Sequence, residues 1–161
     1  MKTEDKHISN LHQEFGPYAV ALIKASWHQD LLKQVSEQVK KTTKAIDPTS
    51  TLDEFEVAGT LEIPQMLAFI AKYKKYDAVV VTGCVIRGET SHYEHICDTV
   101  FPAIDQIARE YTLPVGNAIL SVENMAQAQA RVNGEHGRKG EEACHAALLL
   151  AQTYREIKAS Q

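Results

Sequence analysis

Asp77-Ala78-Val79-Val80-Val81-Thr82-Gly83-Cys84-Val85 is the clearest buried strand in the chain: short, β-branched, and uncharged after its first residue. A run of this kind suits a parallel sheet covered on both faces. The flanking segments fit the same setting. Tyr18–Ala25 (YAVALIKA) is a second run dominated by apolar residues. Thr51–Ala58 (TLDEFEVA) alternates in its second half and is ended by Gly59, and Pro114–Val122 (PVGNAILSV) is a fourth strand candidate.

Helical spacing fills the gaps between these strands. Leu32, Val35, Val39 and Ile46 mark a first helix, with Ser26 and Gln29 as a capping box before it and Asp47-Pro48-Thr49 after it. Ile63, Met66, Ile70 and Tyr73 mark a second, with Pro64 in its first turn. Ser91 and Glu94 suggest another capping box ahead of Ile96, Val100, Ala103, Ile107 and Tyr111, and Pro102 inside that pattern is a candidate kink. Two helical stretches close the chain. One is Glu123–Val132; the other starts near Gly140 and carries Ala147, Leu150, Tyr154 and Ile157 on one face, with Asn133–Gly140 as the loop between them. Strand and helix in alternation predict right-handed crossovers. The expected fold is an α/β three-layer sandwich of flavodoxin-like type, a four-stranded parallel sheet with helices on both faces. Residues 18–161 form the expected domain, and residues 1–17 a polar tail.

Composition narrows the function classes. The chain has 161 residues, enough for one domain, and its 44% hydrophobic residues can build a sizeable core. A net charge of −4 argues against a general nucleic-acid binder. The longest apolar run, Ala146–Ala151, is too short to cross a bilayer, and Met1–Asn10 has no signal-peptide character. Cys84, Cys97 and Cys144 are an odd count in a chain too large to need staples. They read as reduced thiols of a cytoplasmic protein.

In sheets of this kind ligands bind beyond the carboxyl ends of the strands. That rule selects Trp27 and His28, Gly59 to Glu62, Cys84 to His92, and Asn117 to Glu123. Gly88-Glu89-Thr90-Ser91 leads into a helix start, either an ordinary cap or an anion site. His92 is a candidate proton acceptor or a plain surface histidine. His92 and His95 are spaced i, i+3 with no obvious third metal ligand. Cys84 is a nucleophile paired with His92 or a small apolar strand residue. Trp27 stacks on a flat heterocycle or plugs the core. Arg131 and Lys139, flanking the glycine loop, are solvated charges or phosphate contacts.

Several segments together resemble lumazine synthase. Gly59-Thr60-Leu61-Glu62-Ile63-Pro64, Lys75-Tyr76-Asp77-Ala78 and Gly83-Cys84-Val85-Ile86-Arg87-Gly88-Glu89-Thr90-Ser91-His92-Tyr93 carry the resemblance. Glu123-Asn124, Gln127-Ala128, Arg131 and Lys139-Gly140 match the family's C-terminal segment at unbroken spacing. The similarity runs from about Tyr18 to the end of the chain.

The resemblance implies an enzyme, a transferase that condenses 5-amino-6-ribitylaminouracil with 3,4-dihydroxy-2-butanone 4-phosphate. The product is 6,7-dimethyl-8-ribityllumazine, the precursor of riboflavin; phosphate and water leave, and no metal or organic cofactor takes part. By position, Trp27 would stack on the pyrimidine, while Thr60, Leu61 and Glu62 would hold the ribityl side. Cys84, Val85 and Ile86 would line the ring pocket, Glu89 and Thr90 would sit at the phosphate, and Arg131 would bind it with help from Lys139. His92 would transfer protons. Trp27 stands where phenylalanine is frequent, Leu61 replaces an aromatic, Ala58 replaces a proline, Ser121-Val122 replaces a threonine pair, and Asn117 takes the place of a pocket-closing phenylalanine. The resemblance further implies a homo-oligomer, a pentamer at least, with active sites shared between neighbours and a sixty-subunit shell left open. The tail would add a strand to a neighbour's sheet, and riboflavin synthase is a candidate partner. No nucleic acid or membrane is expected. A flavin-binding module without turnover and a cysteine-dependent hydrolase using Cys84 and His92 stand as rival readings.

Overall fold

The computed structural model describes residues 16–134 and 137–161. The expected edge strand within the N-terminal tail falls almost wholly outside the described residues, as does the middle of the Asn133–Gly140 loop.

β1 (Ala19–Ala25) lies at the centre of the sheet and is buried along most of its length. β2 (Thr51–Val57) pairs along one side, β3 (Ala78–Thr82) along the other, and β5 (Val115–Asn117) beyond β3. All four run parallel in the order β2-β1-β3-β5. α1 (Gln29–Ile46) packs with α5 (Lys139–Ala159) as one layer. α2 (Ile63–Tyr73) packs with α3 (His92–Glu110) as the other. The expected three-layer α/β sandwich is the observed architecture.

The sheet continues past β1 as a two-stranded ledge, β4 (Cys84–Ile86) with β6 (Leu120–Val122). Val79 pairs with Val115 and Cys84 with Leu120, so an offset of 36 residues holds on both sides of the interruption. Backbone bonds cross the gap: Ala118 N–H donates to Val81 O and Leu120 N–H to Gly83 O, both at 2.8 Å. The runs predicted as single strands at 77–85 and 114–122 are thus each one extended path with a local break. Side chains take over the backbone groups there. Asn117 Oδ1 accepts from Ile119 N–H at 2.9 Å, and Thr82 Oγ1 donates to Ala118 O at 3.0 Å.

Asp77, the one charge opening the apolar run, ties down the opposite end of the sheet. It accepts from Ala19 N–H at 2.7 Å and pairs with Arg155 at 2.8 Å, and that guanidinium lies 4.3 Å over the Tyr18 ring. A half-buried acid is tolerated when its oxygens are so occupied.

Both predicted capping boxes are absent, because a stronger partner claims one member of each. Ser26 Oγ donates to Ala58 O at 2.7 Å, binding the exit of β1 to the exit of β2. α1 is capped instead by the His28 carbonyl, with His28 in the left-handed region at φ 59°. Ser91 makes no side-chain cap to α3, and Glu94 pairs with Arg87. α3 runs unbroken through Pro102.

The predicted face of α5 is also rotated. Leu150 and Ile157 are exposed, and the buried stripe is Gly140, Ala143, Cys144, Ala147, Leu148 and Ala151. Small residues win the inner face because α5 lies very close to β5. A β-carbon added at Gly116 would stand 2.1 Å from the Ala143 carbonyl oxygen. Likewise Tyr73, expected on the inner face of α2, is exposed and lies against Phe69 with the two rings tilted by 45°.

Candidate active site

Three chain exits meet at the carboxyl edge of the sheet. β1 ends at Ala25, and the turn through Ser26 leaves Trp27 70% exposed. Beyond β2, Gly59 is extended, and Thr60–Glu62 form a single 3-10 turn that hands over to α2. Gly59 is the point around which this part of the rim is built. A β-carbon there would lie 3.2 Å from Glu62 Oε2 and 3.9 Å from the indole Nε1 of Trp27. The indole and the carboxylate therefore flank one bare stretch of backbone.

Thr60 is buried, and its hydroxyl sits on Gly83, where a β-carbon would be only 2.6 Å away. That contact fixes the 60–62 turn against the start of β4. Leu61 and Glu62 remain exposed beside it. Cys84 and Val85 are buried and Ile86 half-buried, so β4 offers the rim chiefly backbone and a small apolar wall. Burial pushes the Cys84 thiol up to about 11. At neutral pH it is a protonated, weakly nucleophilic group, which fits the apolar reading and not the hydrolase.

The third exit is Arg87–Ser91, exposed throughout and leading to His92 at the start of α3. Nothing lies within 4 Å of where a Gly88 β-carbon would be. Thr90 Oγ1 accepts from His92 N–H at 3.3 Å. α3 packs against the 60–62 turn and β4, which sets this exit beside the other two. Trp27, Thr60, Leu61, Glu62, Glu89 and Thr90 stand on connections leaving one edge of the sheet, Cys84, Val85 and Ile86 form β4 at that edge, and His92 opens the helix that follows.

Asn117, Arg131 and Lys139 are placed differently. Asn117 closes β5 with its side-chain oxygen engaged by Ile119 N–H. Arg131 is exposed in the last turn of α4 (Met125–Asn133), and Lys139 opens α5. This stretch is moored on α1: Gln38 donates to Val132 O at 2.6 Å and accepts from Gly140 N–H at 3.0 Å, while Asn133 donates to Gln34. Arg131 and Lys139 thus belong to the α1/α5 layer, and His92 to the α2/α3 layer.

One group went unread in the sequence. Arg87 pairs with Glu123 at 3.0 Å and with Glu94, and it lies 4.3 Å over the Tyr93 ring. The available signal was an arginine leaving β4 with acids at the exit of β6 and in the first turn of α3. Among the described residues, no group of three or more His, Cys, Asp or Glu gathers to hold a metal, and no helix is long and apolar enough to cross a membrane.

The family model described as 6,7-dimethyl-8-ribityllumazine synthase matches residues 17–155. The chain belongs to that family. Curated members are similar over most of their length. A 6,7-dimethyl-8-ribityllumazine synthase of Corynebacterium jeikeium is 38% identical over 86% of this chain and 86% of its own. One of Polaromonas sp. is 33% identical over 87% and 89%. One of Cytophaga hutchinsonii is 33% identical over 95% and 99%.

Within this lumazine synthase family chain the rim offers distinct chemical capacities. An exposed indole face can stack a flat ring. The Glu62 carboxylate can accept hydrogen bonds from hydroxyls. The first backbone N–H groups of a 19-residue helix can hold an anion, and an exposed imidazole beside them can move protons.

Proposed function

We propose that this chain condenses 5-amino-6-ribitylaminouracil with 3,4-dihydroxy-2-butanone 4-phosphate to 6,7-dimethyl-8-ribityllumazine, releasing phosphate and two waters. The observation that carries this is the cluster of Trp27 and Glu62 around bare Gly59, on the rim that also bears His92, in a chain of the lumazine synthase family. Trp27 stacks on the pyrimidine; Thr60, Leu61 and Glu62 hold the ribityl chain; Cys84, Val85 and Ile86 line the ring pocket. Glu89, Thr90 and the start of α3 face the phosphate.

The ring amine attacks the ketone to give an imine with loss of water, phosphate is eliminated, and closure of the second ring expels the other water. These steps need proton transfer, a held leaving group and alignment rather than a covalent nucleophile. His92 moves the protons. Arg131 and Lys139 supply cations to the phosphate. A lysine at the positive end of α5 opposes the helix dipole, a cost that a bound anion offsets.

Because those two cations lie in the layer opposite His92, we take them to serve a neighbouring subunit's rim, with Asn117 at the same seam. A pentamer with shared sites satisfies this. A cytoplasmic setting suits Cys84, Cys97 and Cys144, all free thiols.

Mixing both substrates with the purified protein tests the reaction. Lumazine absorbance growing faster than the spontaneous reaction is expected, and His92→Ala should slow it about tenfold or more without unfolding the chain. Flavin binding with no acceleration would identify a binding module and overturn the proposal.

A further inference from the structure

We propose that Arg87 is a positioning residue that holds the 88–91 loop and the start of α3 in place for the reaction; this rests on the function proposed above. The loop has little else to fix it. Gly88, Glu89, Thr90 and Ser91 are all exposed, no atom lies within 4 Å of where a Gly88 β-carbon would be, Ser91 gives α3 no side-chain cap, and the Thr90 hydroxyl accepts from His92 N–H only at 3.3 Å. Both ends of the loop, by contrast, are fastened by one side chain and its backbone. Arg87 N–H donates to Val122 O at 2.9 Å, locking the exit of β4 to the exit of β6. Its guanidinium then bridges two carboxylates from different elements, Glu123 just past β6 and Glu94 in the first turn of α3, and lies over Tyr93.

A planar guanidinium forks to two carboxylates while stacking on a ring, a fixed geometry that an ammonium, a point charge on a flexible stem, does not reproduce. Glu94 follows His92 by two residues on the same turn, so the pair Arg87–Glu94 sets where the imidazole and the first free N–H groups of α3 stand. Occupied in this way, Arg87 is not itself a phosphate ligand. Its effect on the reaction passes through the position of other groups. Arg87, Glu94 and Glu123 are each more than a third exposed, so their pairs add little to global stability. Alignment, in contrast, is costly to lose, since small displacements of reacting groups slow chemistry severely.

The test compares the full chain with Arg87→Gln, Arg87→Lys and Glu123→Gln. Three measurements are made: turnover of both substrates, thermal midpoint, and hydrogen exchange of the segment 87–95. Arg87→Gln is expected to lower kcat about tenfold or more while each KM stays within about threefold. Exchange in 87–95 should quicken about tenfold, with β1 and α5 exchanging as in the parent chain and the thermal midpoint nearly unchanged. Arg87→Lys and Glu123→Gln, each keeping one arm of the bridge, should fall between. Parent-like turnover and exchange in Arg87→Gln would overturn the proposal. So would faster exchange throughout the molecule, which marks a general structural role, and so would full rescue by lysine, which would reduce the bridge to a single charge contact. If the parent chain forms no lumazine, the reaction is what fails, and exchange in 87–95 still judges the clamp.

Discussion

Cys84 shows how a single side chain takes its chemistry from its surroundings. It is 8% exposed, and burial raises its thiol to about 11, so the thiolate that would react is scarce near neutral pH. Iodoacetamide at pH 7.5 should therefore label Cys84 and the fully buried Cys144 only after the chain is unfolded, as peptide mass spectrometry would report; rapid labelling of Cys84 in the folded protein would reopen the nucleophile. The sequence left Cys84 open between two roles because burial is a tertiary property that a strand-end position does not reveal. Ser26 and Ser91 carry the same lesson. Their spacing to Gln29 and Glu94 satisfies the capping pattern, yet the Ala58 carbonyl takes Ser26 and Arg87 takes Glu94. Local patterns fail where a partner distant in sequence offers a better bond. The place of His92, Trp27 and Glu62 at strand exits was legible, whereas the exposure of Trp27, left open between a stacking surface and a core plug, took the structure to decide.

Among the elements, α5 concentrates the tightest constraints. The helix approaches β5 so closely that a methyl at Gly116 would collide with the backbone of Ala143. Gly116→Ala should cost about 1–3 kcal/mol or more, seen as a lower urea midpoint, because main chain cannot swing aside as a side chain can. Two adjacent residues of α5 also contribute to the pH dependence of stability. Burial lowers His145 below its ordinary 6.5, so folding favours the neutral imidazole; that stability is whole above about pH 6.5 and is lost as pH falls through the depressed value. Burial raises Cys144 from 9.0 to about 11, so its share is whole below about pH 9 and is lost as pH rises through 11. The thermal midpoint should accordingly be flat between these limits and fall on both sides. His145→Gln should soften the acid limb and Cys144→Ala the alkaline one, and an unchanged acid limb in His145→Gln would refute its part. Element type and order could be read from periodicity alone. The inner face of α5 could not, since large residues outside and alanines inside invert the usual signal, and only the short distance to the sheet explains it.

For the whole molecule, the decisive fact is that the two halves of the proposed site lie in opposite helical layers. If the site is shared, a His92→Ala chain and an Arg131→Ala chain should each be poor alone and recover together. Random co-assembly at equal amounts leaves about a quarter of the seams with both residues intact. Unfolding the two together and refolding them should restore activity toward that fraction, whereas separately refolded and then mixed samples should not gain it at once. Absence of any recovery would place a complete site within one chain. Sedimentation of the parent protein should give the mass of at least a pentamer. The topology rule found the rim because strand exits are fixed by strand direction. It could not assign Arg131 and Lys139, since the side of the sheet on which a helix settles is decided by packing such as that of Gln38.

The contact between Thr60 and Gly83 has a historical consequence. The threonine hydroxyl occupies the volume that any side chain at 83 would need. A lineage can therefore not enlarge residue 83 first; it must trim residue 60 beforehand, giving up the wedge that seats the 60–62 turn. The two positions are coupled along any mutational path, and random libraries at 83 should return glycine alone until alanine or glycine, which lack the hydroxyl, is allowed at 60.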